Sequence, residues 1–286
     1  MNGSEDVLVR GLLRTIDARF VACRVSSSVG EACRRHSLEG ARARLVSEAI
    51  AGCVLLGSLL DKGEKFSLQI SARGALRSLL ADIDENCRVR AAITADGSAS
   101  YDALAGSEGT LVLSRSKPSG LTYQGICPLR MGHLPSDLAI HCSLSDQVET
   151  FLDTWYEPLE QGPLTAGGLL LQALPGADLS AFEKLRRSFE QGHRALAPDL
   201  PSDPAAFVSR VLGDFEPRVL VTKPLRFDCT CSADRVSRVL QALGEQEIRS
   251  IIAEEHGTEV TCQWCGKRYD FSETDLLALL PSDTVN

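Results

Sequence analysis

The sequence predicts an α+β protein: a mixed β-sheet core domain packed by helices, then a helical linker, then a small module at the C-terminal end. Three observations carry this. Short alternating or apolar segments between residues 15 and 129 are separated by glycines and polar turns at hairpin distances. One long stretch, Leu38 to Leu60, is rich in Ala and Leu and poor in turn residues. After Leu174 the pattern is broken by Pro175, Pro198, Pro201 and Pro204. The expected boundaries are 1–175 for the core domain, 176–228 for the linker and 229–286 for the module.

Taken in order, the run from Thr15 to Val25 alternates well enough for a strand, and the serines at Ser26–Ser28 are placed to cap a helix reaching His36. Leu38 to Leu60 is a buried helix that ends at Asp61–Gly63. A sheet then begins with Lys65–Ser71, Arg77–Ile83 and Cys87–Thr94, divided by Gly74 and the polar turn Asp84–Asn86. Thr110–Ser116 and Leu121–Leu129 follow around the turn Lys117–Gly120. A helix is expected over Ser136–Gln147, and segments near Phe151–Tyr156 and Leu169–Leu174 complete the sheet. In the linker, Ser180 and Glu183 have the spacing of a capping box, and Phe182, Leu185 and Phe189 share one helical face opposite Lys184, Arg187 and Glu190. That amphipathic face needs an apolar partner, and a docked helix of this kind is either an element that a change elsewhere can release or one that stays packed permanently; the sequence leaves both readings open.

Composition narrows the function classes. Hydrophobic residues make up 44% and charged residues 24% of the 286, which excludes a disordered or fibrous chain. The formal charge of -8 argues against neutralising phosphates, so no nucleic acid is expected. The apolar stretch Ala49–Leu60, interrupted by Gly52, Gly57 and Ser58, falls short of the roughly 20 residues that span a bilayer, so no membrane partner is expected. The start, MNGSEDVLVRGLL, is acidic before its apolar residues and does not read as a secretory signal; the expected location is cytoplasmic. In that reducing compartment, clustered cysteines mean metal or redox chemistry and isolated ones are small buried hydrophobes.

Position separates the ten cysteines. Cys23, Cys33, Cys53, Cys87, Cys127 and Cys142 are scattered, mostly among apolar residues, and are read as packing. Cys33 and His36 could share a metal but have no second pair, and adjacent His141 and Cys142 do not face each other on regular backbone. The remaining four stand in two close pairs, Cys229-Thr-Cys231 and, after thirty residues, Cys262-Gln-Trp-Cys265-Gly. A tetrahedral Zn²⁺ site needs four thiolates about 2.3 Å from one point, and two paired-ligand turns bring them together with little loop-closure entropy. The second half, C-x-x-C-G, is that of a zinc knuckle, in which Gly permits the turn that aims amides at the sulfurs. The spacing thus predicts one Zn²⁺ on Cys229, Cys231, Cys262 and Cys265, completing the fold class with a small C-terminal zinc-binding module. So small a module buries little core and depends on its metal, and the thiolates zinc holds are the form that oxidants attack. His256 lies between the pairs but is surplus to a complete shell. Lys223 to Phe271 holds seven basic against eight acidic residues, unlike a nucleic-acid-binding ribbon. No Walker loop, nucleophile elbow or dinucleotide fingerprint is present, and Gly167-Gly168 lacks phosphate-loop spacing, so no enzyme and no catalytic residue is expected.

On these residues the chain resembles the heat-shock protein 33 family, also called the 33 kDa chaperonin. Phe227-Asp-Cys229-Thr-Cys231 and the stretch Cys262 to Phe271 are similar to that family's switch domain, and GEKFSLQISARG, TYQGICPL and AGGLLLQALPG match family segments in order and spacing. The resemblance implies an ATP-independent holdase chaperone, quiescent when reduced and zinc-bound. On oxidation it would lose zinc, form disulfides pairing Cys229 with Cys231 and Cys262 with Cys265, unfold the switch and linker, and bind unfolding client proteins. It also implies a homodimer when active and hand-off of clients to ATP-dependent chaperones. The competing readings of the cysteines are a constitutive zinc-ribbon adaptor that docks on a protein partner and a thiol-disulfide oxidoreductase using Cys262 and Cys265.

Overall fold

The chain enters its first sheet earlier than the alternation at 15–25 indicates. Val7–Leu13 (β1) forms a hairpin with Ala18–Arg24 (β2), and Arg14–Asp17 is the turn between them, Asp17 having φ 48°. The structure, a computed structural model, describes residues 5–106, 108–158, 164–192 and 204–280.

Ser26–His36 (α1) follows as expected, but its cap is different. The Asp6 carboxylate, just ahead of β1, accepts hydrogen bonds from the amides of Ser27 (2.9 Å) and Ser28 (2.6 Å), while the Ser26 hydroxyl bonds to the backbone of Ala166. A carboxylate at a helix N-terminus satisfies orphan amides and meets the positive end of the dipole. Burial pushes the Asp6 pKa up, against the pull of those amides and of Arg24. Gly40–Leu56 (α2) carries buried residues around its whole circumference, including Leu45, Ala49, Ile50, Cys53 and Val54. A helix apolar all round must be covered on all sides, and α2 packs between two sheets. It ends in one tighter turn, Gly57–Leu59, where Arg10 Nη1 donates to the Ser58 carbonyl at 2.9 Å.

The next strands fall close to their expected places: Lys65–Arg73 (β3), Leu76–Asp84 (β4), Arg88–Ala95 (β5), Glu108–Lys117 (β6) and Gly120–Pro128 (β7). The short helix Tyr101–Ala105 (α3) between β5 and β6 is an addition, capped by the Ser100 hydroxyl. Leu134–His141 (α4) is shorter than the helix expected over Ser136–Gln147, because a π-helical turn takes over at Cys142–Asp146. Thr150–Glu157 (β8) and Thr165–Ala173 (β9) close the expected set.

The stretch after Leu174 contains more than helices. Leu179–Gly192 (α5) and Pro204–Leu212 (α6) are present, but Pro217–Pro224 (β10) pairs antiparallel with β1, and Arg226–Phe227 (β11) pairs parallel with β5. Pro198 and Pro201 lie outside the described residues. The expected capping box at Ser180 is not formed: the Asp178 carboxylate caps α5 by accepting from the amides of Ser180 (2.9 Å) and Ala181 (3.0 Å), and Glu183 instead pairs with Arg186 and Arg187.

The antiparallel sheet has the order β10-β1-β2-β9-β8, and the mixed sheet β11-β5-β4-β3-β6-β7. In the mixed sheet, Leu68 sits opposite Ala81 and Leu113 on the face turned to α2, and polar residues such as Asp82 and Arg90 alternate on the other face, paired at 2.7 Å. The central strands of the antiparallel sheet are buried on both faces, which is why β9 reads as the near-continuous apolar run AGGLLLQA. Leu8, Val21 and Leu170 face α2; Val9, Phe20 and Leu171 face a second core closed by Phe182, Leu185 and Phe189 of α5 and by Phe207, Val208 and Leu212 of α6. Among the described residues no helix is long and apolar enough to cross a membrane.

All of this belongs to one compact unit, Met1–Asp228; Cys229–Asn286 forms a second. The second unit holds Ala233–Leu243 (α7), Glu245–Glu255 (α8), the hairpin Gly257–Thr261 (β12) with Arg268–Ser272 (β13), and Glu273–Leu277 (α9), whose Ser272 and Asp275 make a capping box. Its core is small: Val236, Leu240, Ile248, Tyr269, Phe271 and Leu276.

Candidate metal centre

The four paired cysteines converge. Cys229 and Cys231 lie on the extended segment leading into α7, and Cys262 and Cys265 on the turn between β12 and β13. Their sulfurs all lie within 4.8 Å of one another, with Cys229 to Cys262 at 3.8 Å and Cys231 to Cys265 at 3.3 Å. Four sulfurs about 2.3 Å from a central ion sit on a tetrahedron with an edge of about 3.8 Å. The four side chains are thus at the separations a tetrahedral thiolate site requires, and among the described residues no other group of three or more such side chains could hold a metal ion.

Local sequence explains the second pair. The Cys262 carbonyl accepts from the amides of Cys265 (3.3 Å) and Gly266 (2.8 Å), while the Cys262 amide donates to the Lys267 carbonyl at 2.9 Å. This turn needs a left-handed residue, and Gly266, at φ 68°, supplies it without strain. The first pair is anchored from the helix side: the Ser232 hydroxyl caps α7 by accepting from the Arg235 amide, and the Arg235 guanidinium donates to the Thr230 carbonyl at 3.0 Å.

Electrostatics divide the four thiols. Burial pushes Cys231 up, but the hydroxyl of Tyr269, donating to its sulfur at 3.0 Å, and the neighbouring thiols bring it down to about 7. Burial pushes Cys265 up to about 12, with the Lys267 amide pulling the other way. Tyr269 is itself raised, because its hydroxyl is committed to Cys231. Thiols this close cannot all ionise together without a cation between them.

Tyr269 is the functional residue that sequence reasoning left without a role. Its signal was the period-2 pattern of β13, where Tyr269 and Phe271 are the buried positions; that places the ring inward but does not show that its hydroxyl reaches sulfur. Lys267 adds its ammonium 5.0 Å from the same ring. His256 is where expected, an exposed residue closing α8 with φ 56° and no place among the sulfurs. Of the scattered cysteines, Cys23, Cys53, Cys87 and Cys142 are buried, and Cys33 and Cys127 are half-buried against the core.

The family model for the Hsp33 protein matches residues 6–272, spanning both units. The chain belongs to the Hsp33 family. Relatives named 33 kDa chaperonin include one from Geobacter sp. (strain M21), 28% identical over 95% of each chain, and one from Enterococcus faecalis, 26% identical over 96% of each chain. The crystal structure of the 33 kDa chaperonin (heat shock protein 33 homolog) from Thermotoga maritima superposes with a TM-score of 0.85 at 22% identity, covering 97% of this chain and 98% of that one, and so shares the fold. Membership in Hsp33 places the chain among chaperones and not among enzymes.

Proposed function

We propose that this Hsp33 member is a cytoplasmic, redox-regulated, ATP-independent holdase, inactive while Cys229, Cys231, Cys262 and Cys265 hold one Zn²⁺ and active when that site is oxidised. The observation that carries the reading is the convergence of four sulfurs within 4.8 Å in a unit whose buried core, among the described residues, is the small cluster of Val236, Leu240, Ile248, Tyr269, Phe271 and Leu276. Four soft thiolates are the donor set of a structural zinc site, and bound Zn²⁺ contributes about 10–16 kcal/mol of apparent binding energy to such modules.

The mechanism is then a loss of order. Each pair, Cys229 with Cys231 and Cys262 with Cys265, gives two electrons to an oxidant such as hypochlorous acid; a disulfide forms, and the oxidant leaves as chloride and water. Sulfurs bound to each other no longer serve as thiolate ligands, so the module 229–286 loses what its small core cannot replace. The linker 176–228 is the second element of the switch. Its helices α5 and α6 cover the apolar face formed by Val9, Phe20, Phe151 and Leu171. Release of these helices would expose that face to unfolding clients. Dimerisation of the active form and hand-off of clients to ATP-dependent chaperones complete the proposal.

The test is to treat reduced, zinc-loaded protein with hypochlorite and to follow zinc release, far-UV circular dichroism and suppression of client aggregation together. The three should change in step and reverse on reduction with zinc present. Zinc retention with unchanged structure would instead leave a constitutive ribbon, and turnover of a disulfide substrate without client protection would indicate an oxidoreductase.

A further inference from the structure

Between the two sheets of the first unit, at the C-terminal end of α2, is a cavity of about 410 Å³. That is within the size range of small-molecule sites, roughly 300–1,000 Å³. None of its residues belongs to the metal centre. Its apolar lining includes Leu55, Phe66, Leu113 and Leu170, and its charged lining is Arg19 from β2, Arg115 and Lys117 from β6, and Glu64 just ahead of β3.

The charge is unusual for this molecule. Three cations face one carboxylate in a chain whose formal charge is -8. Glu64 accepts at Oε2 from the Asp61 amide at 2.9 Å and forms ion pairs with Lys117 at 3.5 Å and Arg115 at 3.9 Å. One carboxylate is thus shared between two cations, and a low-dielectric wall of aliphatic side chains strengthens their field.

The site is also built. Gln172 Oε1 accepts from Arg19 Nε at 2.8 Å and Nη2 at 2.5 Å, and Gln172 Nε2 donates to the Thr150 hydroxyl at 3.0 Å; Gln172 and Thr150 are both buried. Arg19 is therefore held by a chain of buried amides and hydroxyls. On another wall, the Tyr123 hydroxyl and His141 Nε2 lie 3.2 Å apart. Gly125 makes that approach possible, since a Cβ there would overlap the His141 ring and stand 2.7 Å from the Tyr123 hydroxyl.

We propose that this cavity binds a small organic monoanion with an apolar body, of the class of a medium-chain carboxylate, its head group on the lining cations and its chain against Leu55, Phe66 and Leu170. The pairing follows from the two kinds of lining: an inorganic anion would leave the aliphatic wall wet, and an uncharged apolar molecule would leave Arg115 and Lys117 sharing the one carboxylate of Glu64.

The experiment titrates octanoate into the reduced, zinc-loaded full chain, following heat and backbone amide chemical shifts, with 1-octanol and inorganic phosphate as separate arms. Octanoate binds saturably at one site, with shifts centred on Leu55, Phe66, Tyr123 and Leu170, and both control arms bind more weakly by about tenfold or more. The double variant Arg115→Gln with Lys117→Gln, at partly exposed positions, loses about tenfold or more in affinity, whereas Glu64→Gln gains several-fold because a competing anion is removed. Equal binding of octanol, shifts centred elsewhere, or no saturable binding at millimolar octanoate would overturn the proposal. The shift map on the unsubstituted protein decides the matter even if a variant fails to fold.

Discussion

Replacing Phe207 with Ala tests whether α6 leaves the sheet as the proposed switch requires. Phe207 is 3% exposed, and its ring centroid lies 5.5 Å from that of Trp155, tilted by 53°. Val208 and Leu212 beside it are fully buried, so little can collapse into the space left behind. A Phe→Ala change in such a site costs about 3–5 kcal/mol, of which the aromatic pair accounts for about 0.5–1.5 kcal/mol. In a form with α6 undocked, residue 207 is in water in both proteins, so the whole cost falls on the docked form. At about 1.4 kcal/mol per factor of ten, undocking becomes more populated by about two to three and a half orders of magnitude. Hydrogen exchange on the reduced, zinc-loaded protein reads this directly. Amides of residues 205–212 should exchange faster by that factor while those of β3 and β4 keep their protection, and client aggregation should be suppressed without any oxidant. Unchanged exchange in α6, or equal loss of protection in β3 and β4, would refute the idea that this cover opens on its own.

Three further outcomes follow from named contacts. Tyr269→Phe keeps the packed ring but removes the hydroxyl that donates to Cys231 Sγ at 3.0 Å, and should weaken zinc binding about 10- to 100-fold in a chelator competition. Gly125→Ala forces a methyl against the His141 ring and the Tyr123 hydroxyl and should cost about 1–3 kcal/mol in urea unfolding of the first unit. Glu183, held by Arg186 (2.7 Å) and Arg187 (2.8 Å), has its pKa lowered from 4.5 to about 2 in the folded state. A depressed carboxyl pKa stabilises above the unfolded value and loses that effect as pH falls from 4.5 to about 2. The difference in melting temperature between the parent and Glu183→Gln should therefore be constant above pH 5 and vanish toward pH 2.

Much of the candidate site was legible because its signal is local. Two residues of spacing within Cys262–Cys265, followed by Gly266, already specify a turn that presents two thiols, and the left-handed φ of 68° at Gly266 is what that glycine indicates. The convergence of the second pair with the first needed no periodicity, only the chemistry of four soft donors. The helix over Leu38–Leu60 and the strands from Lys65 to Leu129 were legible for the same reason: each carries its period within its own length, and hairpin connections leave little choice of partner. What differed was the capping of helices. Asp6 reaches across to cap α1, twenty-one residues on in sequence at Ser27, and Asp178 displaces Ser180 as the cap of α5.

By itself, the sequence determined the α+β class, the apolar face of α5, and the separation of four cysteines that cluster where they could hold a metal ion from six that pack against the fold. Only the tertiary structure decided where Pro217–Pro224 goes. Bounded by prolines and lying well after β9 in the chain, it reads as linker, yet its partner is β1, with Val7 opposite Pro224 and Leu13 opposite Pro217. No local pattern encodes a pairing across more than two hundred residues, because what stabilises it is a sheet edge that exists only once β1, β2 and β9 have assembled. The same reason covers Tyr269 and the cationic cavity: a hydroxyl's partner, and the meeting of Arg19 with Arg115 and Lys117, are properties of surfaces brought together by folding and not of any segment alone.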